Sequence, residues 1–197
     1  MEVLITNIKA NRSKAVLLAK RELPTLVCDA VNLEGIHYTL PEIQTLLDGV
    51  TVGGHKLSDQ QITLNQAKAW RYLFDAVTSD KFALSKSFAC ELHAIAGNEE
   101  ALEWGQFRTG EVTSTGTSYQ PPLTKDLDTA WDTMCEQAQA INNIYEQAIF
   151  IFLQMARNQF FYDVNNRMDR FMMNSLLLSH GYPAINLPAK RKLEFKK

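Results

Sequence analysis

The stretch Asn158–Phe171, NQFFYDVNNRMDRF, crowds aromatic rings, carboxylates, side-chain amides and two arginines into a few turns of chain. Apolar segments with helical spacing flank it, so it reads as a loop feeding the start of a helix. A helix start presents N–H groups without intrahelical acceptors and the positive end of the helix dipole. Beside Arg167 and Arg170, whose planar forks donate paired hydrogen bonds, such a turn suits a polyphosphate. Asp163, just before the turn, carries the hard oxygens that magnesium prefers when it bridges phosphates. A plainer alternative has Asp163 or Asn165 capping the helix while the arginines make surface ion pairs.

The elements that must position this stretch are helical. The chain has 197 residues, 46% of them hydrophobic, which is ample material for a core and excludes a natively unfolded chain. Its 20 basic and 22 acidic residues leave a net charge of −2, so no global field draws in nucleic acid, which is not an expected partner. The basic cluster Lys190, Arg191, Lys192, Lys196 and Lys197 reads as a solvated tail over residues 185–197. Cys28, Cys90 and Cys135 form no C-x-x-C pair, which argues against a disulfide framework or a zinc site and fits a reducing cytoplasm. No signal peptide opens the sequence, and the strongest apolar run, Ala148–Leu153, is far short of the roughly 20 residues that cross a bilayer, so no membrane partner is expected.

Along the chain, residues 12–32 read as one or two helices interrupted near Pro24 and ended by Gly35, an N-terminal segment over residues 1–38. Capping boxes are expected at Thr39 with Glu42 and at Ser58 with Gln61, and a cap at Ser85. Residues 105–122, GQFRTGEVTSTGTSYQPP, break the helical pattern and read as a short β-hairpin. Two central helices are expected, one over residues 144–156 that is apolar on most sides and one over residues 165–180 closed by Gly181. His93 and His180 are expected to pack or cap rather than catalyse, and the Met168, Phe171, Met172, Met173 cluster and Trp70, Trp104 and Trp131 to build the core.

From Gln159 to Arg170 the sequence resembles the signature of the Fic family, H-x-F-x-(D/E)-(G/A)-N-(G/K)-R-x-x-R. Phe161, Asp163, Asn165, Arg167 and Arg170 match it, whereas Gln159 stands in the place of the histidine, Val164 in that of the small residue and Asn166 in that of the Gly or Lys. Residues 105–122 look like the family's flap hairpin, and Leu92-His93 and Phe107-Arg108 fit its pattern upstream. AVNLEG at residues 30–35 resembles the inhibitory motif (S/T)-x-x-x-E-(G/N), with Ala30 in place of the hydroxyl residue.

The resemblance implies a mainly α fold, a Fic-type helical bundle with two central helices and a small β-hairpin flap, its core over residues 39–184. It implies transfer of AMP from ATP, with Mg2+, to a hydroxyl side chain of a target protein. Asp163 would hold the metal, Asn165, Asn166, Arg167 and Arg170 the nucleotide phosphates, and the flap residues Thr113, Thr115, Gly116, Thr117 and Tyr119 the target. Glu34 would pair with Arg170 and obstruct the γ-phosphate. Gln159 breaks the central step, because an amide has no titratable acceptor near neutrality and general-base catalysis is worth roughly a hundredfold to ten-thousandfold. Val164 adds a handicap, since a β-branched residue resists positive φ and crowds a backbone that must approach phosphate. Impaired adenylyltransfer is therefore expected. The alternatives are a non-catalytic protein-binding module on the same fold, or transfer of another phosphate-containing group. The resemblance is also compatible with a homodimer.

Overall fold

The computed structural model describes residues 8–113 and 118–192. Eight α-helices are found among them: α1 (Arg12–Arg21), α2 (Leu23–Leu33), α3 (Leu40–Leu47), α4 (Leu57–Thr78), α5 (Lys86–Ala96), α6 (Leu127–Gln139), α7 (Ile144–Asn158) and α8 (Asn165–Ser179). Short polar side chains set several of the boundaries. Asn11 Oδ1 accepts from Lys14 N, Thr39 and Glu42 form the expected reciprocal box, Ser85 accepts from Phe88 N, and Asn143 accepts from Tyr145 N and Glu146 N. Pro24 in the first turn of α2 separates it from α1. The box expected at Ser58 and Gln61 is not formed. Lys56 holds the extended conformation that a cap requires, so α4 begins at Leu57 and Ser58 lies inside its first turn.

Helix α8 is the centre of the molecule. Met168, Phe171, Met172, Met173, Leu176, Leu177 and Leu178 are all buried on it. It packs along α7 and is crossed by α4, α5 and α1. Helix α7 is less enclosed than its apolar sequence suggests. Its neighbours are α6 and α8, and Ile149 and Leu153 on its outer face are 44% and 55% exposed. Ala15, Val16 and Ala19 of α1 and Leu26, Val27 and Val31 of α2 bury into the same core as α4 and α8.

The chain reaches the end of α8 through Gly181, at φ +82°, where a Cβ would stand 2.7 Å from Asn11 N and 2.9 Å from Arg12 N. Only glycine admits that approach, which lets Asn11 N donate to Gly181 O at 2.8 Å and fastens α1 to the end of α8. Beyond it, Asp29 of α2 accepts from Asn186 Nδ2 and Ala189 N, holding the segment that leads into Lys190, Arg191 and Lys192; Lys196 and Lys197 lie outside the described residues.

No strand occurs among the described residues of 105–123, so the expected hairpin is not found there; Thr115, Gly116 and Thr117 lie outside the described residues. The backbone from 105 to 113 instead runs irregularly over the α7–α8 loop. No helix among the described residues is long and apolar enough to cross a membrane.

Candidate functional site

The turn between α7 and α8 is bracketed by two left-handed residues, Gln159 at φ +48° and Val164 at φ +64°. Neither is glycine, so the turn must be held by its surroundings. Phe160 and Phe161 are fully buried; Phe160 stacks on Phe107, and Phe161 lies 3.9 Å from the parallel ring of His93. Asn165 closes the turn from inside. Its Oδ1 accepts from Phe161 N at 3.0 Å while its Nδ2 donates to Phe161 O at 2.6 Å. That side chain, expected to grip phosphate, is thus spent on shaping the loop. The plainer expectation of an Asp163 or Asn165 cap is not met either, since Val164 is the N-cap residue and no side chain caps α8.

His93 is structural. Its Nδ1 accepts from Gly105 N at 3.1 Å, which leaves Nε2 as the donor to Asp163 O at 3.3 Å. Burial, the main cause, pulls its pKa down to about 4, so it is neutral near pH 7 and both ring nitrogens are engaged. His180 Nδ1 lies 2.9 Å from Leu176 O at the end of α8, away from the turn. Arg108 ties the turn to residues 105–122. Its backbone N–H donates to Phe160 O, its Nε to Gln159 O at 2.7 Å, and its Nη1 and Nη2 to the carbonyls of Gly110 and Pro122.

At the start of α8, Arg167 is 1% exposed and lies between two carboxylates. Its Nε donates to Glu34, 3.0 Å from Oε1 and 2.9 Å from Oε2, and its Nη2 donates to Glu100 Oε1. The pairing expected for Glu34 was with Arg170. The structure gives Glu34 to Arg167, because the end of α2 meets the first turn of α8, whereas Arg170 lies one turn deeper, with Nε and Nη1 buried and lacking hydrogen-bond partners. Both guanidiniums attract Glu34, yet burial outweighs them and pushes its pKa up. The carboxylates around Arg167 keep it firmly protonated, while burial pulls Arg170 down. Asp169 is wholly buried, and loss of solvent drives it well above the usual carboxylate range despite Arg170.

A concavity of about 280 Å³ brings together Gln159, Asp163, Asn165, Asn166, Arg167 and Glu34, with Tyr162, Val164 and Glu100 completing its wall. Six of the expected site residues thus share one small polar hollow. Arg170 does not line it, nor do Thr113 and Tyr119. Tyr119 packs against the guanidinium of Arg157, 4.4 Å from its ring centroid, and Thr113 is exposed. A larger hollow of about 750 Å³ lies beside Ile8, Tyr145 and Tyr182, but it lacks the arginines and the loop. Among the described residues no cluster of three or more His, Cys, Asp or Glu could by itself hold a metal ion. Glu100 and Tyr162 went unread in the sequence. Glu100 sits in GNEE, which signals only the end of α5, and its partner Arg167 is 67 residues away.

Gln159 lines the hollow together with Asp163 and the first turn of α8, and its Nε2 donates back to Ala156 O at 2.5 Å. The first N–H groups of α8, at Asn165 and Asn166, have no intrahelical acceptor and are available to an anion. The arrangement can receive a phosphate group and holds no titratable base at the position of Gln159.

The model of the Fic/DOC family matches residues 83–177. The chain is 25% identical over 173 residues to the protein adenylyltransferase Fic of Drosophila grimshawi, covering 84% of this chain and 35% of that protein. With the corresponding protein of Drosophila persimilis the figures are 25% over 191 residues, 93% and 37%. The chain therefore spans little more than a third of the length of these relatives. A Fic domain containing signaling protein from Bacteroides thetaiotaomicron superposes with a TM-score of 0.81 at 19% identity, covering 95% of this chain and 74% of that one. Fic-1 from C. elegans superposes with a TM-score of 0.80 at 18% identity, covering 97% and 58%. These superpositions give the fold, and the family match, which runs through α7, the loop after it and most of α8, makes residues 83–177 a domain of the Fic/DOC family.

Proposed function

We propose that this chain is an adenylyltransferase-type Fic protein in which AMP transfer from ATP to a target protein's hydroxyl side chain is impaired. The observation that carries the reading is the polar hollow at the start of α8, where Asp163, Asn166 and Arg167 surround the place that Gln159 occupies instead of a base. Relatives named protein adenylyltransferase support the chemistry.

The residues present fit an ATP-magnesium group in type. Asp163 is exposed at the hollow and offers carboxylate oxygens to the cation, which when bound neutralises charge on the phosphates. The N–H groups at the start of α8 receive a phosphate oxygen, and Arg167 adds a charged donor once it leaves its carboxylates. Glu34 restrains the site by engaging Arg167 Nε, which differs from the expected pairing with Arg170 but has the same consequence for an incoming anion. Gln159 positions a hydroxyl without removing its proton, so attack on the α-phosphate is slow. Residues 105–122, rooted by Arg108 beside the hollow, are where a target segment would lie.

The test is transfer of labelled AMP from ATP to candidate hydroxyl-bearing proteins. The native chain should label them weakly, and Gln159→His combined with Glu34→Gly should raise transfer by roughly a hundredfold or more. Vigorous labelling by the unaltered chain would overturn the impairment.

A further inference from the structure

Arginine recognises a phosphate by presenting two N–H groups together, either Nε with Nη2 along its side or Nη1 with Nη2 across its end. In Arg167 the two carboxylates engage different nitrogens. Glu34 takes Nε, which closes only the side edge. Glu100 takes Nη2, which carries one N–H on each edge, so its single oxygen occupies one of the two. Nη1 is left buried with no hydrogen-bond partner. We infer that Glu100 is a second lock on Arg167, independent of Glu34. The inference rests on the phosphate-binding reading of the hollow given above.

Three observations support independence. The carboxylates come from separate elements, Glu34 from the end of α2 and Glu100 from the turn after α5, where Glu100 N donates to Gly97 O at 3.1 Å. Loss or movement of α2 therefore leaves Glu100 in place. Glu100 Oε2 is buried without a hydrogen-bond partner, so Arg167 is what holds this carboxylate. Finally, one guanidinium faces two carboxylates, so an anion approaching Arg167 meets net negative charge with both in place, none with one removed, and net positive charge only once Glu100 as well as Glu34 is removed or displaced. Glu34→Gly alone thus leaves Arg167 still paired through Nη2, and Glu100→Ala alone leaves it paired through Nε.

The experiment is calorimetric titration of the full chain with sodium pyrophosphate, and separately with ATP and magnesium. The proteins are the native chain, Glu34→Ala, Glu100→Ala and the double variant, each checked for folding by its thermal transition. Glu100→Ala and Glu34→Ala should each tighten pyrophosphate binding about tenfold, and the double variant about a hundredfold. Arg167→Ala placed in the double variant should remove the gain. If Glu34→Ala already reaches the affinity of the double variant and Glu100→Ala binds no better than the native chain, the second lock is refuted while the phosphate site stands. If all four proteins are silent toward both titrants, the phosphate-binding reading itself fails, and the lock with it. Should Glu100→Ala not fold, Glu100→Gln serves in its place, with an expected gain of about threefold because its amide oxygen still accepts from Nη2.

Discussion

The α7–α8 turn and the stretch from 105 to 123 meet at one place, yet they are held in different ways. The turn is fixed from within: Phe160 and Phe161 fill the core, Asn165 clamps the backbone of Phe161 in both directions, and His93 stacks beneath. The neighbouring stretch has no regular structure among its described residues and is fastened at its root, chiefly by Arg108. A site that must present fixed donors to a small anion gains from the first arrangement, and one that must accommodate a variable protein segment gains from the second. The difference teaches that rigidity in this molecule ends at the carbonyls of Gln159, Gly110 and Pro122, where a single guanidinium bridges the two regions.

Removing that bridge should have the largest effect. Arg108 is 2% exposed, and Arg108→Ala orphans three carbonyls and empties the space its side chain fills. A loss of about 3–5 kcal/mol in urea unfolding is expected, with residues 105–113 becoming more open to proteolysis than the turn. A loss below about 1 kcal/mol would mean that the stretch is anchored elsewhere.

The second prediction sharpens the cost of fixing the loop side by burial. Asp169, wholly buried, is held well above the usual carboxylate range. The folded chain thus keeps a proton that the unfolded chain has released, so stability should fall as pH rises out of the ordinary aspartate range, at up to about 1.4 kcal/mol per pH unit. Asp169→Asn should flatten this decline. Glu34, also raised by burial, should leave a weaker slope of the same sign. Urea midpoints between about pH 5 and pH 8 check it, and equal slopes in the two proteins would show that Asp169 does not carry the effect.

What could be read in advance follows the same division. Thr39 and Ser85 announced helix starts because a cap is a local device, written within four residues. Ser58 misled because nothing local distinguishes a cap from a serine one turn further on; the extended backbone of Lys56 decides it. The run AIFIFL showed a helix but not which faces of α7 its neighbours would leave open. The signature and the AVNLEG motif pointed to six residues that line one hollow, but not to what each side chain touches. Asn165 turns inward to the backbone of Phe161, Glu34 meets Arg167 rather than Arg170, and Glu100 arrives from 67 residues away. Pairings between distant elements leave no periodicity in a sequence, so only the packed structure discloses them.

The smallest predicted effect concerns the strain that the turn carries. At φ +64° the Cβ of Val164 crowds the backbone, and a β-branched side chain tolerates this least. Its side chain is nevertheless 7% exposed, so simple truncation loses packing as well as strain. Alanine and glycine separate the two contributions. Alanine removes most of the packing and keeps the Cβ, whereas glycine removes both. In an ordinary buried helical position, such as Val27, glycine should be the worse replacement by about 1 kcal/mol. At 164 the order should reverse, with Val164→Gly more stable than Val164→Ala by about 1 kcal/mol in the same urea assay. If alanine were the better residue at both positions, the turn would be relaxing away from the left-handed geometry, and its neighbours would not be holding it as tightly as the contacts of Asn165 and Phe161 require.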